Sequence, residues 1–367
     1  MKKEKALIVI VQSNNYKLPN IEDYTQEMKS LVKTAGAKVK EVIIQNLQSF
    51  NPAFLIGKGK VEELKEIITE KNIDTIIFGN NLSPLQISNL TSQLNIKIID
   101  RSELILDIFA QHAKSREGKI KVELAQLKYR LPLLTGKGIV LSRLGGGIGT
   151  RGPGETKLEV DRRRIKTKIS YLEKSLYKIR KNRSEQKKRR LKSGLPLFTL
   201  IGYTNVGKSS ILNMLTNSTV LVEDKLFATL DTKAARVYLG KNRYGIISDT
   251  VGIIENLPNN LQETFKATIE EAADSDFLII VLDASNKNPE KEIQSVHKLL
   301  IDLNITDKET IYLFNKTDKL ETFNSLLKYE KRFEHTIYLS TVTKRGKDLL
   351  LKKMGDLSEK KFNYLYS

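Results

Sequence analysis

Apolar and polar positions along the first 112 residues follow two rhythms in turn. Ala6 to Val11 (ALIVIV) is a solid apolar run of strand length, as suits a parallel strand covered on both faces. IEDYTQEMKSLVKTAG then spaces its apolar residues for one face of a helix, and VKEVIIQ, VEELKEIITEKN, TIIFGN, PLQISNLTSQLN and IKIID continue the alternation. This pattern predicts a small parallel α/β domain over residues 1–112. From Ile120 the rhythm changes: Ile120, Leu124, Leu127, Leu131 and Leu134 step by four and three, and Leu158, Ile165, Ile169, Leu172, Leu176 and Ile179 form a second such stripe. Two facing heptad stripes predict an antiparallel helical hairpin over residues 113–193. From about Pro196, strand-length runs recur between helical stretches: LFTLIG, the pair KAARVYLG and RYGIIS, Phe277 to Leu282, and TIYL. Residues 194–367 are therefore expected to form a doubly wound, mostly parallel α/β sheet, so the chain as a whole is of the α/β class.

Charge sharpens the picture of the hairpin. The chain carries a net charge of +19, and between Glu155 and Lys192 sixteen Lys or Arg stand against five Asp or Glu. More than half of the excess thus falls in one short segment, which marks a polyanionic partner, RNA above all. The stripes are separated by a stretch in which eight of the twenty residues from Thr135 to Gly154 are glycine, with Arg143 and Arg151 flanking the densest part. Neither helix nor strand tolerates that density, so the stretch is an exposed loop. It reads either as a flexible linker or as a probe that inserts into RNA. IGKGK at Ile56 to Lys60, ahead of a helical stretch, reads as a phosphate-holding turn or as a tight turn with solvated lysines.

The absence of cysteine removes disulfides, thiolate metal sites and a thiol nucleophile, and suits a reducing cytoplasm. No apolar run reaches membrane-spanning length, the first residues lack a signal-peptide apolar region, and NYLYS is no lipidation box. A cytoplasmic monomer is the expectation. His112, His297 and His335 are scattered and read as structural or solvated residues.

The densest chemistry lies at Leu197 to Ser210. An apolar strand runs into Gly202, then Tyr203, Thr204, Asn205 and Val206, then Gly207, Lys208 and Ser209. The glycines let the backbone curl so that successive N–H groups point inward, and the following helix adds its positive end, which makes a cup for a triphosphate. Lys208 would reach the β- and γ-phosphates, and the Ser209 hydroxyl would be a ligand of Mg²⁺. Asp249-Thr250-Val251-Gly252 closes a second strand; Asp249 would hold Mg²⁺ through water and the Gly252 N–H would meet the γ-phosphate. Thr229, within Phe227-Ala228-Thr229-Leu230-Asp231, is the expected second hydroxyl on the metal. Base choice is carried by Asn315-Lys316-Thr317-Asp318, where a carboxylate at 318 accepts from N1–H and the 2-amino group of guanine; adenine offers neither donor there, which predicts GTP. Ser340-Thr341-Val342 is placed to close over the base edge. Position 253, where many GTPases carry a water-orienting glutamine, is isoleucine, which predicts slow intrinsic hydrolysis. Asn205 either helps to hold a K⁺ ion beside the phosphates or only tightens the loop.

Together FLIGKGKVEELK, the run from Ile99, LSRLGGGIGTRGPGETKLEVDRR, GYTNVGKS, FATLD, DTVG and NKTD resemble the HflX family of ribosome-associated GTPases from about residue 5 to 345. The resemblance implies GTP contacts at Gly202 through Ser209, Phe227 through Asp231, Asp249 through Gly252, Asn315 through Asp318 and Ser340 through Val342, with Ser209 and Thr229 on Mg²⁺. It implies association with ribosomal RNA and proteins of the large subunit, rescue or splitting of stalled and stress-arrested ribosomes, ribosome-stimulated hydrolysis, and a hairpin loop sent toward the peptidyl transferase centre. A ribosome-assembly or RNA-chaperone factor that uses GTP only as a release timer is the alternative. Two departures stand out: Ile253 replaces the aromatic usual after DTVG, and only about one helix follows Ser340 where the family commonly has a further domain.

Overall fold

The computed structural model describes residues 3–18, 20–143, 157–192, 194–216, 233–253, 270–286, 288–322 and 326–366. The chain forms two compact units, one reaching to Lys178 and the other starting at Ile179. Among the described residues no helix is long and apolar enough to cross a membrane.

In the first unit, β1 (Lys5–Ser13), β2 (Lys38–Leu47), β3 (Thr75–Phe78) and β4 (Lys97–Ile99) make an all-parallel sheet in the order β2-β1-β3-β4. Parallel neighbours need crossovers, which α1 (Ile21–Thr34), α2 (Lys58–Lys71) and α3 (Pro84–Leu94) provide. β1 lies inside, and Ala6 to Val11 are fully buried, as a run without alternation requires. Helix starts follow local side-chain chemistry. The Asn20 side chain accepts from the backbone of Glu22 and Asp23, and Ser83 forms a reciprocal cap with Gln86, with Pro84 in the first turn. α2 begins inside the IGKGK motif: Gly57 is its N-cap, and Lys60 is already helical and paired with Glu63 at 2.6 Å.

Beyond α4 (Arg101–His112) come α5 (Arg116–Arg143) and α6 (Lys157–Lys192). The stripe expected on α5 is only part of its buried surface. Leu124 is buried and Ile120, Leu127, Leu131 and Leu134 are half-buried, whereas Val122, Ala125 and Tyr129, off the stripe, are buried too. The cause is that α5 also packs against α3 and α4, so a second face is covered. On α6 the expected phase holds: Leu172 is buried and Ile165, Ile169, Leu176 and Ile179 are half-buried between exposed cations. Glu123–Lys168 at 3.2 Å and Lys128–Glu173 at 2.9 Å join the two helices. Of the stretch from Thr135 to Gly154 expected to be an exposed loop, the part up to Arg143 instead continues α5, because only two of its nine residues are glycine, and residues 144–156, with Arg151, lie outside the described residues.

The second unit holds a six-stranded sheet in the order β10-β9-β8-β5-β7-β6, from β5 (Leu197–Gly202), β6 (Lys233–Gly240), β7 (Arg243–Asp249), β8 (Phe277–Asp283), β9 (Glu309–Asn315) and β10 (Thr336–Tyr338). Only the β6–β7 pair is antiparallel, and Lys241 and Asn242 at its turn both take positive φ, as a tight hairpin demands. Side-chain alternation on β8 separates two cores. Phe277, Ile279 and Val281 pack with α7 (Lys208–Leu215) and α9 (Lys347–Tyr366), whereas Leu278, Ile280 and Leu282 pack with α8 (Pro289–Asp302). Helices thus cover both faces, and the loops at the carboxyl ends of β5, β7 and β9 are left to build a site.

In the first unit a buried amide extends the sheet. Asn80 just beyond β3 donates to the Val11 carbonyl and accepts from the Val11 N–H, both at 2.8 Å. Asn80→Ala leaves both backbone groups buried without these partners and is expected to destabilise this unit by about 2 kcal/mol or more, read as faster hydrogen exchange of β1 amides and an earlier denaturant midpoint.

Candidate nucleotide site

Every residue of β5 is buried, so its end fixes where the following loop begins. Gly202 is obligatory there because a Cβ would run into the Val281 carbonyl of β8. At the other end Gly207 has φ +95°, and a side chain would collide with the Asn315 amide. Asn205 between them also takes positive φ, at 62°. The loop is thereby curled around Lys208, whose ammonium donates to the carbonyls of Gly202 at 3.0 Å and Tyr203 at 2.7 Å. Burial lowers the Lys208 pKa to about 8, against the pull of the Asp249 and Glu292 carboxylates.

Asp249, at the end of β7, is fully buried and accepts a 2.7 Å hydrogen bond from the Ser209 hydroxyl. Thr250 is pinned by its hydroxyl to the Leu200 carbonyl at 2.7 Å. A Cβ on Gly252 would lie 2.6 Å from the Thr204 methyl, so only glycine lets this segment lie against the loop. The two segments form a short parallel bridge: Ile253 N–H donates to Gly202 and Thr204 N–H to Ile253, each at 3.0 Å. The Ile253 side chain packs in the core with Ile201, Leu278 and Ile280. The residue in the place of the water-orienting glutamine is therefore a packing residue.

Asn315 at the end of β9 joins this half of the site to the other. Its amide donates to the Val206 carbonyl at 2.8 Å and its oxygen accepts from Thr341 N–H at 3.3 Å. Lys316 has φ +65° and reaches Asp283 at 2.6 Å. Thr317 donates through its hydroxyl to the Leu339 carbonyl at 3.0 Å. Asp318 is exposed, with one oxygen accepting from the Ser340 hydroxyl at 2.5 Å; Ser340 in turn accepts from Thr343 N–H. Val342 is exposed at the rim. Gly202 through Ser209, Asp249 through Gly252, Asn315 through Asp318 and Ser340 through Val342 thus share one end of the sheet. Phe227, Ala228, Thr229, Leu230 and Asp231 lie outside the described residues.

Three polar residues here were not singled out by sequence. Asp283 at the end of β8 accepts from the backbone and hydroxyl of Ser285 and holds Lys316. Asn286 donates to the buried Glu292 carboxylate on α8 at 2.6 Å. Burial, with Asp283 adding to it, pushes the Glu292 pKa up to about 7, opposed by Asn286, the Asp283 N–H and Lys316. The available signal was positional: Glu292 adjoins Ile293 and precedes Val296 by one helical turn, at the margin of the buried stripe.

A curled loop between strand and helix, glycine at both ends, an Asp-x-x-Gly segment against it and Asn-Lys-Thr-Asp at the next strand end define a P-loop GTPase domain. Family models match along most of the chain: "GTP-binding GTPase N-terminal" over residues 22–110, "GTP-binding GTPase Middle Region" over 112–190 and "50S ribosome-binding GTPase" over 198–316. The GTPase HflX of Caldanaerobacter subterraneus subsp. tengcongensis is 46% identical over 349 residues, covering 95% of this chain and 79% of the relative. That of Escherichia coli K12 is 36% identical over 344 residues, covering 94% and 80%. The chain belongs to the HflX family of GTPases. Among solved structures, a GTP-binding protein from the archaeon Sulfolobus solfataricus in complex with GDP matches with a TM-score of 0.52 at 25% identity, over 97% of this chain and 99% of that one.

Glu292 gives a pH test of this network. Between about pH 4.5 and about pH 7 the folded chain keeps a proton that the unfolded chain has released, so this contribution to stability is full below the unfolded value and is lost as pH rises through 7. Glu292→Gln keeps an acceptor for Asn286 and removes the titration. Its melting temperature is expected to rise relative to the parent between about pH 5 and about pH 8; parallel profiles would show that Glu292 does not titrate there.

Proposed function

We propose that the chain binds GTP in this loop cluster, hydrolyses it, and uses the bound state to engage the large ribosomal subunit and split or rescue arrested ribosomes. The nucleotide assignment is carried by Asn315, which ties the phosphate loop to the Asn-Lys-Thr-Asp and Ser-Thr-Val segments, so that phosphate and base contacts form one rigid unit. The GDP complex of the archaeal protein supports a guanine nucleotide. The ribosomal assignment is supported by the family model for the nucleotide domain, described as a 50S ribosome-binding GTPase, and by the cations of α6. Residues 1–112, 113–193 and 194–367 then act as an N-terminal domain, a basic helical hairpin and the GTPase domain, a division that the three family matches support.

In this assignment Lys208 leaves the loop carbonyls for the β- and γ-phosphates, a stronger charge-assisted partnership. The Gly202 to Ser209 amides cradle the phosphates, and the Gly252 N–H meets the γ-phosphate. The Ser209 hydroxyl and the Asp249 carboxylate, 2.7 Å apart, are hard oxygen donors that fit Mg²⁺. Ser209 and Thr229 would hold the ion directly, with Asp249 acting through water. When bound, Mg²⁺ neutralises charge that develops on the phosphate oxygens. Asp318 accepts from the guanine edge, with Ser340 fixing its carboxylate, and Thr341 and Val342 close the rim. Ile253 supplies no polar group to the attacking water, so stimulation comes from the ribosome, with K⁺ beside Asn205 as a further source of positive charge.

Lys208→Ala should abolish tight GTP binding. Asp318→Asn should weaken GTP by roughly a hundredfold and favour a base with a carbonyl at C2, because a donor then faces donors; titration with labelled GTP and xanthosine triphosphate reads both. Unchanged GTP affinity in both variants would overturn the site.

Sucrose-gradient sedimentation tests the ribosomal role. Intact ribosomes incubated with the chain and a non-hydrolysable GTP analogue should yield free subunits. Binding to large subunits without splitting would instead favour an assembly or RNA-chaperone factor timed by hydrolysis.

A further inference from the structure

Beside the nucleotide domain's chemistry, the first unit contains a cleft of about 440 Å³ between the start of α5 and the middle of α6. Its volume falls in the range of small-ligand pockets, about 300–1,000 Å³. Ile120 and Leu172 give it an apolar floor, and Leu172 is only 3% exposed. The neighbouring Tyr171 is 62% exposed and lines the cleft, with the Lys168 ammonium 5.9 Å from its ring centre. Such a ring loses apolar hydration only if something lies on it. The polar lining is cationic: Arg116 and Lys119, one turn apart on α5, make no ion pair among the described residues. Glu123 is the acidic exception, and its charge is met by Lys168 at 3.2 Å. The first turn of α5 adds its positive end, and Glu117 there is neutralised by Lys121 at 2.8 Å.

An open aromatic ring over an apolar floor, edged by two cations that make no ion pair among the described residues, fits a flat base joined to phosphates. We infer that this cleft receives an extruded nucleotide of single-stranded RNA, the base stacking on Tyr171 and the flanking phosphates meeting Arg116 and Lys119. Duplex RNA presents no free base face and does not fit. A lone nucleotide would use the ring but forgo the phosphates on either side of it. The natural strand is ribosomal RNA if the large-subunit assignment holds, but the cleft's chemistry stands apart from that assignment.

The full chain is titrated into a fluorescently labelled single-stranded RNA twelve-mer and followed by anisotropy. Stacking on an aromatic side chain contributes on the order of tenfold in affinity per base. Tyr171→Ala should lose about that factor, Tyr171→Phe should retain parental binding, and Tyr177→Ala, on an equally exposed tyrosine of α6 outside the cleft, should change little. Arg116→Ala and Lys119→Ala should each reduce the salt slope by about 0.7. An unchanged far-ultraviolet circular dichroism spectrum and an unchanged melting profile certify that the variants are folded. The inference is overturned if Tyr171→Ala binds the oligomer like the parent, if Tyr177→Ala loses as much, or if adenosine monophosphate competes as well as the oligomer. If oligomer binding depends on Tyr171 while the chain fails to pellet with large subunits, the cleft assignment stands and the ribosomal one falls.

Discussion

The nucleotide site depends on a single buried amide. Asn315 is fully buried, and both ends of its side chain are committed, one to the phosphate loop and one to the segment after β10. A neutral amide suits the position because it donates and accepts at once without the desolvation cost of a charge. Its neighbour Gly207 has given up a side chain so that the amide can approach, and Gly202 has done so for the carbonyl of β8. The loop's shape is therefore imposed by the strands beneath it. A preformed cup binds phosphate more tightly than a floppy one of the same composition, since less ordering is left to do on binding.

The polar groups of that cup also bind one another. Lys208 donates to two loop carbonyls, and the Ser209 hydroxyl donates to one oxygen of Asp249. A polyphosphate would compete with these contacts, so its affinity would reflect the difference between carbonyl and phosphate as partners for an ammonium in a poorly solvated place. The depressed Lys208 pKa expresses the same imbalance: burial opposes its charge until a stronger anion arrives. Asp283 performs the corresponding service for Lys316 on the base side, and the protonatable Glu292 underlies the loop that carries it.

Much of this was legible in the sequence because it is local. Gly202, Gly207 and Lys208 declare a curled loop by spacing alone, and the apolar run ahead of Asn315 places that residue at a strand end. Ala6 to Val11 reads as an inner strand for the same reason. What escaped was long-range. The heptad stripe on α5 gave no sign that α3 and α4 would cover a second face, because a helix covered on two sides shows a broader and less periodic apolar surface. The core packing of Ile253 follows from its bridge with Tyr203, far away in sequence. The Glu292, Asn286, Asp283 and Lys316 network joins residues whose types are ordinary on a helix, in a loop and at strand ends; only the fold makes them neighbours.

α6 poses the converse problem, a helix with little to hold it. Over 36 residues its apolar stripe is narrow and cations dominate the rest. Arg162, Arg163, Arg164, Lys166, Lys168, Lys174 and Lys178 are all exposed, and like charges a turn apart oppose the helix by a few tenths of a kcal/mol each. Glu123 of α5 relieves Lys168, whereas the α6 carboxylate of Glu173 is spent on Lys128 of α5. A polyanion laid along the helix would lower this repulsion and release counterions as it did so. The charge that weakens the isolated helix is therefore the same charge that a polyanion would neutralise, so stability given up on this face is stability that such a partner would restore.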